Sequence, residues 1–280
     1  MNLGKQNDTC AHLHELECFV LDMDGTINLE WDLIDGALDF INILKEKGIK
    51  FYFFTNNSSK SPMDYVDKLT RLGFEGMTRD HVMTSGDVMI HYLKTHKKDP
   101  KVYLAGTPEL EKQFREEGIT LVGEDAEAKD VDFVVQGFDT TYEYKKMDAV
   151  CRLAYEGVPF LATNIDRVCP MKDGKFIPDC GSMCKMITHA TGVEPKFVGK
   201  PFKETVDYIL SKTGSERSKT AMVGDRLYTD IMTAVNGNIC GICVLSGEVT
   251  YDEIMESDVR PDYILNSVKD IYLAIKERSE

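Results

Sequence analysis

Asp22 and Asp24 stand two residues apart in Asp22-Met23-Asp24-Gly25-Thr26, directly after the apolar run Cys18-Phe19-Val20-Leu21. An apolar run this short reads as a buried strand. Gly25 and Thr26 then turn the chain, so both acids sit at the carboxyl end of a strand, where open α/β sheets build their sites. Carboxylates this close repel unless a cation lies between them. The pair is therefore either a magnesium site with a nucleophile and a proton-transfer group beside it, or a solvated Asp-Gly turn.

Three further loops weigh on that choice. Thr55-Asn56-Asn57 follows the predicted strand Ile49–Phe54, Lys200 follows Phe197-Val198, and Asp225 and Asp230 follow Ala221-Met222-Val223. Alone, each has an ordinary explanation. The first is a turn before a capped helix, Lys200 is a solvated lysine, and Gly224-Asp225 is another turn. In order, at successive strand ends of one parallel sheet, they would converge along one edge.

Together these groups describe phosphoryl transfer. A carboxylate, Asp22, can attack phosphorus and form an aspartyl phosphate. Magnesium takes oxygen ligands and only one or two carboxylates; Asp22, Asp225 and a backbone carbonyl of the first loop, at Asp24, fit that set. The Asp24 side chain can protonate a leaving alkoxide and later activate water. Thr55, Asn56 and Asn57 supply neutral donors for phosphoryl oxygens. Lys200 can stabilise both the phosphate and ionised Asp22.

The elements that must position these residues alternate between strand-like and helix-like segments, which indicates an α/β fold with mostly parallel strands. Gly36 to Lys47 has apolar residues at helical spacing, and Pro62 opens a second helix. A middle unit has predicted strands at Val102–Ala105, Phe133–Val135 and Phe160–Thr163, with helices near Pro108–Glu117 and Tyr142–Tyr155 between them. Gly181 to Ala190 reads as a helix, and Gly241 to Leu245 as the last strand. Strands ending in chemically useful residues flank the middle unit. The expected organisation is thus a core domain in two parts, 1–84 and 183–280, interrupted by an inserted domain at 85–182.

The 280 residues carry 33 basic and 47 acidic side chains, a net charge of −14. That argues against a nonspecific grip on nucleic acid or anionic lipid, though a bound cation can reverse the field of one pocket. Met1–Asp8 has no apolar leader-like run, and no stretch approaches the roughly 20 apolar residues of a membrane span. Eight cysteines are scattered through the chain, several in apolar runs, so a reduced cytoplasmic setting is expected. Cys240-Gly-Ile-Cys243 has redox or zinc spacing without a second such pair.

Asp22-Met-Asp-Gly-Thr, Thr55-Asn-Asn, Lys200 and Gly224-Asp-Arg-Leu-Tyr-Thr-Asp230 resemble the four motifs of the haloacid dehalogenase (HAD) superfamily. Ala162-Thr-Asn-Ile-Asp166 and Ile177-Pro-Asp-Cys-Gly-Ser182 resemble cap segments of its subfamily IIA, the NagD-like or p-nitrophenyl-phosphatase group. The likeness runs from about residue 17 to residue 270. It implies a Rossmann-like parallel-sheet core, an inserted α/β cap of the C2 type, and Mg²⁺-dependent phosphatase activity. It implies Asp22 as nucleophile, Asp24 as acid and base, Thr55 and Lys200 as phosphate ligands, Asp225 as metal ligand and Asp230 in support. Asp24 is typical of the phosphatase members. The run Ile27-Asn28-Leu29-Glu30-Trp31 departs from the pattern of many relatives, which have an aromatic two residues after the motif's threonine and then a glycine. That change bears on the leaving-group pocket. Trp31 is expected to pack rather than line it.

A C2 cap would exclude large substrates, leaving a small phosphorylated metabolite: a sugar phosphate, a nucleoside monophosphate, a phosphoglycolate-like acid or pyridoxal phosphate. Asn164, Asp166 and Arg167, after a cap strand, are the candidate contacts beyond the phosphate; Arg167 could equally be a surface ion pair. Two other functions are weighed against a phosphatase. A phosphotransferase or mutase would use the same aspartyl phosphate. A noncatalytic phosphate-binding module would not need so large an insert. The resemblance also makes a homodimer through the cap plausible.

Overall fold

Alternating apolar strands and amphipathic helices build two compact units in a computed structural model that describes residues 13–171 and 175–277. The Met1–Asp8 start lies outside the described residues. The first unit takes in the described residues up to Thr55, Pro62–Met83, and those from Lys200 onward; the second takes in Asn56–Ser61 and Thr84–Gly199.

The first unit is built on a six-stranded sheet. Its order is Tyr263–Leu265, Cys240–Val244, Thr220–Gly224, Cys18–Leu21, Lys50–Thr55, Val82–Thr84. Numbered along the chain, that is 3-2-1-4-5-6 read from the other edge, the doubly wound order whose switch point lies beside the first strand. Cys18–Leu21, Thr220–Gly224 and Cys240–Val244 are buried at every position, as expected for central parallel strands covered on both faces. One face packs Phe19, Leu21, Phe40, Ile41, Val223 and Ile242; the other packs Ile231, Cys243, Ile254 and Ile264. The helix Ala37–Glu46 starts after Gly36, whose φ of 81° is left-handed. A Cβ on Gly36 would also lie 2.6 Å from Lys269 Cβ, so glycine alone fits this helix start.

The second unit has a five-stranded parallel sheet in the order Lys196–Phe197, Phe160–Ala162, Phe133–Gln136, Lys101–Ala105, Thr120–Leu121. Its core includes Val134, Phe138, Val150, Leu153 and Phe160, with Cys180, Cys184 and Ile187 from the helix Cys180–Thr191. This unit therefore continues to Gly199, past the boundary drawn from the sequence at residue 182. The apolar stripe of that helix is buried against the insert.

Four further findings concern single segments. The strand before Lys200 does not join the catalytic sheet, because Lys196 and Phe197 pair with Leu161 and Ala162 in the second unit. Lys200 thus comes from the chain's return to the first unit, not from a strand end of its sheet. Tyr263–Leu265 follows the strand expected to be last. Cys240 and Cys243 sit three apart on one strand, so their side chains point to opposite faces and cannot share a metal. Trp31, expected to pack, is 56% exposed in the tight turn between Asn28–Leu29 and Asp32–Leu33. Among the described residues, no helix is long and apolar enough to cross a membrane.

Candidate active site

The two central strands of the six-stranded sheet run parallel, with Leu21 opposite Val223, and the Asp22 N–H donates to the Val223 carbonyl at 2.9 Å. Asp22 and Asp225 therefore emerge side by side at the switch point, where no strand-connecting helix covers the sheet edge. Asp230 joins them from the turn of π-helix Leu227–Ile231. Ligand oxygens of Asp22, Asp225 and Asp230 all lie within 4.8 Å of one another, and all three residues are buried.

Glycines make the room. A Cβ on Gly25 would sit 2.2 Å from Asp225 Oδ2, and one on Gly247 would sit 2.0 Å from the same oxygen. A Cβ on Gly224 would sit 2.2 Å from Asp230 Cγ. The Glu248 N–H donates to Asp225 Oδ2 at 2.7 Å, and the Ser246 hydroxyl donates to the Gly25 carbonyl at 2.8 Å. The loop after Cys240–Val244 thus braces both aspartate loops. Ser246-Gly247-Glu248 carries no motif that marks it in the sequence. The available signal was its position after a buried strand.

Lys200 Nζ donates to Asp22 Oδ1 at 2.5 Å and to Asp230 Oδ1 at 2.7 Å, and lies over the Phe54 ring, 5.4 Å from its centroid. Burial pushes the Asp22 carboxyl well above the usual carboxylate range; Lys200 pulls it down, and the charges of Asp230 and Asp225 push it up again. Burial alone would lower the Lys200 ammonium, but the charges of Asp22 and Asp230 and its hydrogen bonds to them outweigh that and hold it raised. A raised Asp22 favours the neutral acid, whereas a raised Lys200 requires charged acceptors. The short contact is that of a charge-assisted pair, so Lys200 is the protonated partner, and the rise at Asp22 expresses burial first and the negative charge of Asp230 and Asp225 after it. Burial and then Asp230 push Asp225 up to about 6, against the pull of the Glu248 N–H and Arg226. Asp225 Oδ1 is buried without a hydrogen-bond partner. Asp230, in contrast, spends Oδ1 on Lys200 and Oδ2 on the Arg226 N–H at 3.2 Å.

Asp24 lies outside this carboxylate cluster with an exposed side chain; its Oδ1 accepts from Lys68 at 2.9 Å and from Asn28 at 2.8 Å. Neither donor was foreseen, because their register with Asp24 depends on a tight turn and a separate helix. Thr55 is half-buried at the end of its strand in the first unit. Asn56 and Asn57 belong to the second. Asn56 Nδ2 donates to Asp166 Oδ2 at 2.7 Å, and Asn57 Oδ1 accepts from the Ser59 N–H and hydroxyl. These side chains fasten the segment to its own unit instead of offering free donors. Asn164 is fully buried, its Nδ2 donating to Asp166 Oδ2 and Asp179 Oδ1. Asn164 and Asp166 are thus engaged with each other rather than open to a substrate. Arg167 is the exposed member of that trio.

Residues 19–120 match the model of the haloacid dehalogenase-like hydrolases, and residues 197–271 match a second, HAD-hydrolase-like model. An acid sugar phosphatase from Staphylococcus haemolyticus is 34% identical over 92% of this chain and 95% of that protein. The chain belongs to the haloacid dehalogenase-like hydrolase family. The 5'-nucleotidase YutF of Bacillus subtilis is also 34% identical, over 89% of this chain and 95% of its own. The solved 4-nitrophenylphosphatase from Thermotoga maritima superimposes with a TM-score of 0.88 at 38% identity, covering 95% of this chain and all of that one. NagD from Escherichia coli K-12 gives 0.83 at 27% identity, over 91% and 98% of the two chains. The hydrolase is of the NagD-like group, a phosphoric monoester hydrolase.

Proposed function

We propose that this hydrolase cleaves a small phosphomonoester, a sugar phosphate or nucleoside monophosphate, through an aspartyl phosphate on Asp22 with Mg²⁺ bound beside it. One observation carries the proposal: three buried carboxylates converge, two of them on one buried lysine, and Asp225 Oδ1 is left without a partner. A buried unpartnered carboxylate oxygen is costly unless a ligand satisfies it. The donor set is all oxygen, which suits magnesium. Asp22 and Asp225, with the Asp24 carbonyl, would hold the ion, which supplies charge neutralisation at the phosphate. Asp230 has both oxygens occupied and serves by orienting Lys200.

The residues of the chain divide the chemistry. Asp22 attacks phosphorus as Asp24 delivers a proton to the leaving oxygen. Lys200 and Thr55 stabilise charge on the phosphoryl oxygens. Asp24 then takes a proton from the water that releases phosphate. The names of the relatives support sugar phosphates and nucleotides as the first substrates to test, and Arg167 remains the candidate contact beyond the phosphate. The same reading holds the enzyme to be cytoplasmic and a homodimer through the inserted unit; light scattering tests the latter.

The deciding experiment is phosphate release from a panel of esters with and without Mg²⁺, joined to mass spectrometry of acid-quenched enzyme. Mg²⁺-dependent release and a phosphoryl adduct on the peptide bearing Asp22 are expected. Persistent activity after thorough chelation removes the metal, and transfer to a second sugar without free phosphate would make the enzyme a mutase.

A further inference from the structure

Two donors from different elements meet on a single oxygen of Asp24. Asn28 Nδ2 donates to Asp24 Oδ1 at 2.8 Å, and Lys68 Nζ, from the helix Pro62–Arg71, donates to the same atom at 2.9 Å. The Asp24 side chain is 60% exposed, whereas that of Lys68 is 18% exposed. An exposed aspartate has several rotamers open to it; two donors on one oxygen select one.

Asn28 is fully buried, and its amide orientation is set by its surroundings. Its nitrogen faces two acceptors, Asp24 Oδ1 and the Glu30 carbonyl at 3.0 Å, so the nitrogen and not the oxygen must point there. The Asn28 oxygen is left buried without a hydrogen-bond partner. Leaving it so gives up stability, while the nitrogen is spent on an exposed carboxylate. Buried polar groups treated this way call for a reason other than packing.

We propose that Asn28 and Lys68 are positioning residues for Asp24: by holding Oδ1 they present Oδ2 to the bridging oxygen of the ester. The proposal rests on the assignment of Asp24 as acid and base. As an Asp22 oxygen bonds to phosphorus and the P–O ester bond breaks, the proton on Asp24 Oδ2 passes to the leaving alkoxide, which departs as the alcohol. When water attacks phosphorus, Oδ2 takes its proton and the Asp22–phosphorus bond breaks, restoring the Asp22 carboxylate.

The test compares Lys68→Met, Asn28→Ala and Asp24→Asn on 4-nitrophenyl phosphate, whose leaving group needs little protonation, and on an alkyl ester such as a sugar phosphate. Misplacing a catalytic group by about 1 Å costs up to about a hundredfold. Lys68→Met and Asn28→Ala should therefore lower kcat on the alkyl ester by roughly ten- to a hundredfold. They should change kcat on 4-nitrophenyl phosphate by less than about twofold, with Lys68→Arg restoring the alkyl rate. Equal losses on both esters, or none, while Asp24→Asn stays selective, overturn the positioning role and leave the acid assignment standing. If Asp24→Asn itself loses both esters equally, the acid assignment fails and the proposal with it. Lys68 is half-buried, and Lys68→Met keeps an unbranched apolar stem in its place, so the Lys68 variants decide the matter even if Asn28→Ala does not fold.

Discussion

In the first unit, Asp22, Asp225 and Asp230 bring oxygens within 4.8 Å of one another, Asp22 and Asp230 share one ammonium, and one Asp225 oxygen stays unpaired. In the second unit, Asp166 and Asp179 are just as deeply buried but share the amide of Asn164 between them. Asn56 adds a second donor to Asp166, the Cys180 N–H caps onto Asp179, and Thr163 donates to Asn164 Oδ1. Both regions bury acids, so burial alone does not mark a site. The difference lies in satisfaction. The second network closes on itself and orders the unit's loops. The first keeps excess negative charge and an open acceptor, which stabilise nothing in the bare protein and favour a cation and a phosphate.

The comparison can be broken at either region. Asp22→Asn should have the largest effect, reducing turnover of every phosphomonoester to background because an amide is a poor nucleophile. Its Tm in chelator should be no lower than that of the parent, since a crowded charge is removed while the Lys200–Asp230 pair remains. A marked fall in Tm would show that the cluster is a stabilising network after all.

Gly247→Ala should come next. The backbone at Gly247 is not left-handed, so alanine is disallowed only by the 2.0 Å approach of its Cβ to Asp225 Oδ2. Mg²⁺ affinity, read by calorimetry, should weaken by about tenfold or more, the equivalent of losing one charged hydrogen bond. Unchanged affinity would mean that the Asp225 cradle does not matter.

Asn164→Ala should behave in the opposite way to Asp22→Asn. Leaving two buried carboxylates short of a donor should cost about 1–3 kcal/mol in chemical unfolding. Turnover of 4-nitrophenyl phosphate by the folded protein should stay within about twofold, within the scatter of substitutions that touch no reacting group. A selective loss of kcat would assign the network to the chemistry.

The smallest effect concerns His81, outside both clusters. Its ring stacks on Phe51, and burial, then Lys45, hold it below its ordinary value. A histidine depressed in the fold contributes stability that is fully present above its unfolded value and is lost as pH falls through the folded one. Parent Tm should therefore fall slightly more than that of His81→Gln between about pH 7.5 and about pH 5.5. An equal fall in both would remove His81 as an example of a shift caused by burial without function.

Much of the catalytic unit was legible because it rests on local signals. Apolar runs ending in Asp22, Thr55 and Asp225 fell where strands formed, and the helix after Gly36 began and ended at left-handed glycines. The rest depended on distant pairings. Val82–Thr84 is three residues long, too short for periodicity to reveal. Phe197 reads as a strand from either sheet's point of view, and only its pairing with Ala162 assigns it. Asn56 and Asp166 look like open polar groups in sequence because a hydrogen-bond partner 110 residues away leaves no local trace.

The sequence by itself determined the α/β class, the family and the types of residue that do the chemistry, since these follow from strand-end motifs that need only their neighbours to be recognised. Tertiary structure alone decided which polar residues remain open. It closed Asn164 onto Asp166, braced Asp225 with Gly247 and Glu248, and set Asn28 and Lys68 against Asp24. The reason is physical: residue type sets what a side chain can donate or accept, but whether that capacity is spent depends on which groups folding brings within about 3 Å.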